Sequence, residues 1–192
     1  MSNVAGLQRS QTLERLARTE GSQILEIAVS LPLIMVIVVG LMDFSAAFIL
    51  KYKLNNAARE GARFASSQST ADLTNPTPSS ITGVRDFIDN NLVDKGIKDC
   101  GLSTAAPTQS GLAWTYTANT GCPGSGTLTL IIDRGSTFPT TGATPVRIEA
   151  TRVNISYPYQ WRFNSVIQLL VPGGWSTGIT QISTGAVMQN LN

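Results

Sequence analysis

The sequence predicts an α+β fold: a long N-terminal transmembrane helix followed by a small head with an antiparallel sheet and a short helix. Three observations carry that expectation. From Ile27 to Met42 no residue is charged, and after Asp43 the apolar run resumes to Leu50. At about 1.5 Å per residue this stretch spans about 36 Å, enough to cross a bilayer core. Beyond Ser69 the chain is rich in Thr and Gly and alternates apolar with polar residues, as half-buried strands do. Between these regions, Ser80 to Gly96 repeats apolar residues at helical spacing.

Composition narrows the function. The 192 residues carry 14 Lys+Arg and 12 Asp+Glu, a net charge of +2 that is too near neutral to point to nucleic acid. Only 14% are charged, against about 25% in typical soluble domains. There is no histidine, which removes Ser-His-Asp and Cys-His catalysis and every histidine-containing zinc site. Two cysteines cannot build a four-cysteine site. The sequence holds no phosphate-binding glycine loop, supported acid pair or Ser-x-x-Lys motif. The expectation is a non-enzymatic protein without metal or cofactor.

Residues 1–21 read as a cytoplasmic leader rather than part of the fold. An ordinary secretory signal has a short apolar core followed by a small-x-small cleavage site. Here Glu26 opens the apolar run, and Asp43 precedes Ser45-Ala46-Ala47, the one plausible small-residue site. The stretch Gly21-Ser22-Gln23-Ile24-Leu25-Glu26 carries a different signal: a glycine, a polar residue, and an acid that introduces a long apolar helix. Orientation rests on two opposed indications. Lys51, Lys53, Arg59 and Arg63 outnumber Arg9, Arg15 and Arg18, which favours a cytoplasmic C-terminal side. Cys100 and Cys122, however, lie in a Gly/Pro/Ser/Thr-rich stretch, as disulfide-bonded pairs of exported domains do. The head also balances its charges, and the expectation is a cytoplasmic N-terminus, an extracytoplasmic head and one Cys100–Cys122 disulfide.

Several motifs together resemble a known family. The basic leader, Gly21-Ser22, Glu26, Leu31-Pro32-Leu33 and Gly40-Leu41-Met42-Asp43-Phe44 are similar, in order, to those of TadE-like proteins. The run Leu54-Asn55-Asn56-Ala57-Ala58-Arg59-Glu60-Gly61-Ala62-Arg63 extends the likeness, which covers roughly residues 18–68. TadE-like proteins are pseudopilins of the tight-adherence (Flp, type IVb) pilus machinery. One departure is that Ile27 follows Glu26, where Flp-type pilins and pseudopilins often carry an aromatic, so TadE, TadF and a relative all remain open. The resemblance implies a minor pseudopilin with a pilin-like helix, cut between Gly21 and Ser22 by a prepilin peptidase and acting by subunit packing. It also implies partners: a TadF-like pseudopilin, the major Flp pilin, the inner-membrane assembly platform and the lipid bilayer. The alternative is an uncleaved, signal-anchored envelope protein whose head binds a ligand or partner.

The helix, expected over 22–68, carries two acids of interest. Glu26 is costly in an apolar segment unless it is paired. Cleavage would create a Ser22 ammonium, and in the family the glutamate neutralises that amine on a neighbouring subunit. Asp43 shares a face with Ala47 and Leu50, over Gly40, which suits contact with a cation of a partner helix or, alternatively, the solvated outer interface. Pro32 removes a backbone donor inside the run and is either a kink or a tolerated transmembrane proline. From Lys51 to Ser67, Leu54, Ala58, Ala62 and Ala65 recur at helical spacing, with Ala57 and Gly61 widening a stripe of small residues. Packing of this stripe on the head is the favoured reading.

The head is expected over 69–192. Asn75-Pro76 and Thr77-Pro78 mark a loop, and Ser80 is a candidate cap for a helix burying Val84, Phe87, Ile88 and Leu92 before Gly96. Asp86, Asp89, Asp94 and Asp99 have helical spacing, unlike an oxygen-ligand loop for calcium, and read as a solvated face. Four strands follow: Leu112–Ala118, Thr127–Asp133, Val146–Tyr157 and roughly Gly178–Met188. Gly121–Gly126 joins the first two as a hairpin-length loop. In the third, the apolar parity flips near Thr151-Arg152, as at a bulge. A short helix is expected over Arg162–Leu170.

Overall fold

The computed structural model describes residues 4–139, 147–162 and 179–191, and it divides into two units, Met1–Phe44 and Ser45–Asn192. The architecture is α+β: a long apolar N-terminal helix, then a head with a short helix and a five-stranded antiparallel sheet. Helix α1 spans Val4–Ser66, so its helical course begins well inside the stretch expected as a leader and continues through Pro32. Helix α2 spans Ser79–Asp94. Strands β1 (Pro107–Ser110), β2 (Ala113–Ala118), β3 (Leu128–Pro139), β4 (Arg147–Gln160) and β5 (Ile179–Gln189) pair in sequence order. The short helix expected over Arg162–Leu170 lies, after Arg162, outside the described residues.

The core of the second unit is a layer of helices on one face of the sheet. Leu54, Ala57, Ala58, Ala62 and Ala65 of α1 are fully buried, as are Ile81, Val84, Ile88 and Leu92 of α2. Trp114 and Tyr116 from β2, Leu128, Leu130 and Ile132 from β3, and Val153 and Ile155 from β4 close the layer from below. The period-2 burial of each strand is what places these side chains on one face. The small-residue stripe of α1 therefore packs on the head. Phe64 and Phe87 stack across the two helices with ring centroids 4.7 Å apart.

Strand β1 escapes the sequence reading because Pro107-Thr108-Gln109-Ser110 holds no large apolar residue and is almost wholly exposed. It is found only by its pairing, Ser110 opposite Ala113 around a two-residue turn in which Gly111 takes φ +60°. Leu112, expected inside with Trp114, instead occupies that turn and is half exposed. The parity change expected near Thr151 is present, but the extra residue belongs to the neighbouring strand. Asp133 opposes Arg152 and Ser136 opposes Ala150, leaving Arg134 and Gly135 across from Thr151. Asp133 secures the bulge by accepting from the Gly135 N–H at 2.9 Å and the Ser136 hydroxyl at 2.6 Å.

That bulge turns Arg134 inward, where it is 4% exposed. Its guanidinium donates to the carbonyls of Ala65 and Gln68, the latter at 2.8 Å, and so supplies donors at the end of α1, whose last carbonyls lack helical partners. Burial pushes the guanidinium pKa down, while the nearby Asp72 holds it up. The C-terminal segment adds a second tether, with the Leu191 N–H donating to the Ser66 carbonyl at 3.2 Å.

Helix α2 is capped from a distance. Its N-cap residue is Pro78, and Ser80, expected as the cap, is itself the capped residue. Asp72 accepts from the Ser80 N–H at 2.8 Å and the Ser80 hydroxyl at 2.7 Å. The Ser80 N–H is the largest influence holding the Asp72 carboxyl below its usual range. At the other end Gly96 takes φ +71°, the Ile97 N–H reaches the Leu92 carbonyl and the Gly96 N–H reaches that of Val93, a Schellman closure. Cys100 and Cys122 form the expected disulfide, Cα–Cα 4.9 Å, tying the segment after α2 to the β2–β3 loop.

Three outcomes follow for stability. Arg134→Met removes the donors at the end of α1 and should destabilise the head by about 1–3 kcal/mol in denaturant unfolding; an unchanged midpoint would show that water serves those carbonyls equally well. Reduction of Cys100–Cys122 should cost about 3 kcal/mol for a loop of this length, read as a shift of the same midpoint with reductant. Asp72 binds its proton less readily folded than unfolded, so its contribution is complete above the unfolded value near 3.8 and is lost as pH falls below it. Asp72→Asn should flatten that acid limb in pH-dependent melting while leaving the neutral-pH slope unaltered.

Candidate functional site

In the first unit, most of the described side chains of α1 are apolar and exposed. Ile24, Leu25, Ile27, Val29, Leu33 and Leu41 are all more than half exposed. A helix apolar around its whole circumference has no water-facing side. Burying each such side chain is worth about 1.5–3 kcal/mol, so the segment's summed demand exceeds the about 5–15 kcal/mol of a typical domain's net stability. Lipid or other apolar helices must cover it. By length and composition this one helix suffices as a single-pass membrane anchor.

Within that apolar surface Glu26 is exposed, between Leu25 and Ile27. Its backbone carbonyl accepts from the Ser30 hydroxyl one turn later. Gly21 and Ser22 lie in the helical course of α1, one turn before Glu26, so the residues expected at a cleavage bond and at a countercharge are close along one helix. Asp43 behaves differently. It is only 3% exposed, although Met42 and Phe44 beside it are open. The sequence reading offers Asp43 either to a partner helix or to the solvated outer interface.

The acidic residues of α2 are less uniform than a solvated face would be. Asp86 is exposed and pairs with Arg85 at 2.6 Å. Asp89 is partly buried, and its Oδ1 has no hydrogen-bond partner. Desolvation, then the charges of Asp99 and Asp86, push its carboxyl pKa up. Among the described residues no group of three potential metal ligands converges.

Two functional features were missed by the sequence reading. Arg134 carries no motif, and only the bulge reveals its position. The second is a groove of about 740 Å³ on the head, bordered by α1 and the end of β4. Its signal was present in the aromatic density of Tyr157-Pro158-Tyr159-Gln160-Trp161-Arg162.

Comparison with known proteins bears on the helix alone. Residues 21–63 match the family model described as TadE-like protein. Neither the curated proteins nor the solved structures gave a match. The matched stretch opens on Gly21-Ser22 and includes Glu26, Asp43 and most of the small-residue stripe that builds the head's core. Over residues 21–63, within its N-terminal helix, the chain is similar to TadE-like proteins.

Proposed function

We propose that this protein is a minor pseudopilin of a tight-adherence pilus system, processed by a prepilin peptidase and acting through subunit packing. The observation that carries this reading is an exposed Glu26 in an otherwise apolar helical surface, just beyond Gly21-Ser22 and inside the family-matched segment. A peptidase at the membrane face needs an unhindered bond. Gly21 supplies one, having no side chain and ample backbone freedom. Cleavage there releases the Ser22 ammonium, and the Glu26 carboxylate of an adjacent subunit neutralises it where both charges are costly. The helix is held in the inner membrane with its N-terminus cytoplasmic and the head outside. A TadF-like pseudopilin, the major Flp pilin and the inner-membrane platform are the partners. Asp43 takes no part in this pairing.

Intact mass of membrane-extracted protein, with and without the prepilin peptidase gene, tests the reading. The mature chain should begin at Ser22 only when the peptidase is present. Gly21→Val should leave the precursor uncut, because a β-branched side chain crowds the scissile bond. Glu26→Gln should be cut normally yet recover its pseudopilin partner at least about tenfold less well, the factor equivalent to about 1.4 kcal/mol of lost pairing. A chain that keeps residues 1–21 in both strains defeats the proposal and leaves a signal-anchored protein.

A further inference from the structure

The groove on the head combines three features that point to one kind of ligand. First, its α1 wall is made by Ala46, Ile49 and Leu50, at the end of the apolar run, with Lys53 within one turn beyond them. Bilayer core and groove therefore meet along the same turns of helix. Second, Tyr159 and Trp161 line the opposite wall, packed edge to face with centroids 5.0 Å apart. The Trp161 indole N–H donates to the Thr180 hydroxyl at 2.7 Å, which fixes the ring. Aromatic rings with one polar end concentrate where hydrocarbon gives way to headgroups. Third, the lining contains Lys53, Lys98 and Arg162 and no acid. The Lys53 ammonium donates to the Lys95 carbonyl at 2.7 Å, whereas Lys98 and Arg162 are exposed on the rim. The head as a whole carries as many acids as bases, so a wall with cations alone is a local departure.

We infer that this groove seats on the membrane surface and binds the phosphate headgroups of anionic phospholipids. This inference rests on the membrane-anchored reading of α1. The rings enter the headgroup layer beside the emerging helix, and Lys98 and Arg162 meet the lipid phosphates. Each cation near an anionic surface is attracted to it, and the two together fix the rotation of the head about α1 as well as its height. The head is then a second membrane contact, distinct from the hydrophobic span.

The test reconstitutes the full chain into phosphatidylcholine vesicles with about 30 mole per cent phosphatidylglycerol. Bromine is placed at a shallow acyl position of one lipid or the other. Quenching specific to Trp161 is the difference between the wild type and Trp161→Phe, so the other tryptophans cancel. Brominated phosphatidylglycerol should quench Trp161 roughly twofold more than brominated phosphatidylcholine at equal mole fraction. The excess should vanish in Lys98→Gln/Arg162→Gln, whose exposed positions leave the core intact, and in about 1 M NaCl, where the screening length falls to about 3 Å. Equal quenching by the two lipids overturns the anionic-headgroup site. Absence of quenching by both, in protein that stays with the vesicles after alkali extraction, overturns the membrane contact of the head and leaves the anchor standing. Loss of the protein from the vesicles overturns the anchor itself and, with it, this inference.

Discussion

A Cβ on Gly61 would lie 2.7 Å from Cδ1 and Cγ1 of Ile88, closer than packed carbon atoms tolerate. This near contact sets how α2 lies against α1, and most of the head follows from it. With Ala57, Ala58, Ala62 and Ala65 as its neighbours, α1 offers α2 and the sheet a surface with almost no relief. The larger side chains of the partners, Ile88, Leu92 and Trp114 among them, fill the space that the small ones leave. Remaining contacts then fall into place around the seam: Lys95 and Asn91 reach Glu60 on α1, and Thr184 of β5 donates to Asn55 at 3.1 Å. The stripe leaves little side-chain entropy to lose on packing, since alanine and glycine have none.

The same stripe separates what was legible in the sequence from what was not. Period and residue size made α1, α2 and four of the five strands readable, because apolar repeats at helical or alternating spacing report burial directly. The disulfide was readable from two cysteines in turn-rich segments, now joined. Strand β1 was not, since an edge strand with polar, exposed residues leaves no burial pattern. Nor was Asp72, whose role as a cap depends on a fold-back of the loop before α2 and not on its place next to the helix. Arg134 illustrates the same limit: a parity change was visible in β4, yet its structural meaning lay in the extra residue on β3. At the candidate site, Gly21, Ser22 and Glu26 stand close along one helix as their spacing requires. The low exposure of Asp43, between open Met42 and Phe44, was not legible from spacing.

Charge is distributed to match this division of labour. The described apolar part of α1 leaves Glu26 as an exposed charge, while three charged residues beyond it serve helix ends. Arg134 serves the end of α1, Asp72 the start of α2, and Lys53 the end of α2. Such polar contacts at helix termini are worth individually little, but they act where packing alone leaves backbone groups without partners.

The strand order has a consequence for how the head forms. Because β1 to β5 are neighbours in space in the order of synthesis, each hairpin can close as soon as its second strand exists, with little chain to search. Among the described residues, however, the sheet's apolar face rests on α1 and α2, which precede it in the chain. Helices thus wait for a sheet that grows one strand at a time, and the final step is the return of the C-terminal segment, when Leu191 reaches the Ser66 carbonyl. A chain cut short before β5 would keep its first four paired strands but lack that closure, leaving β4 as a bare edge open to pairing with other chains. The last dozen residues therefore decide whether a nascent head becomes a finished unit or a template for aggregation.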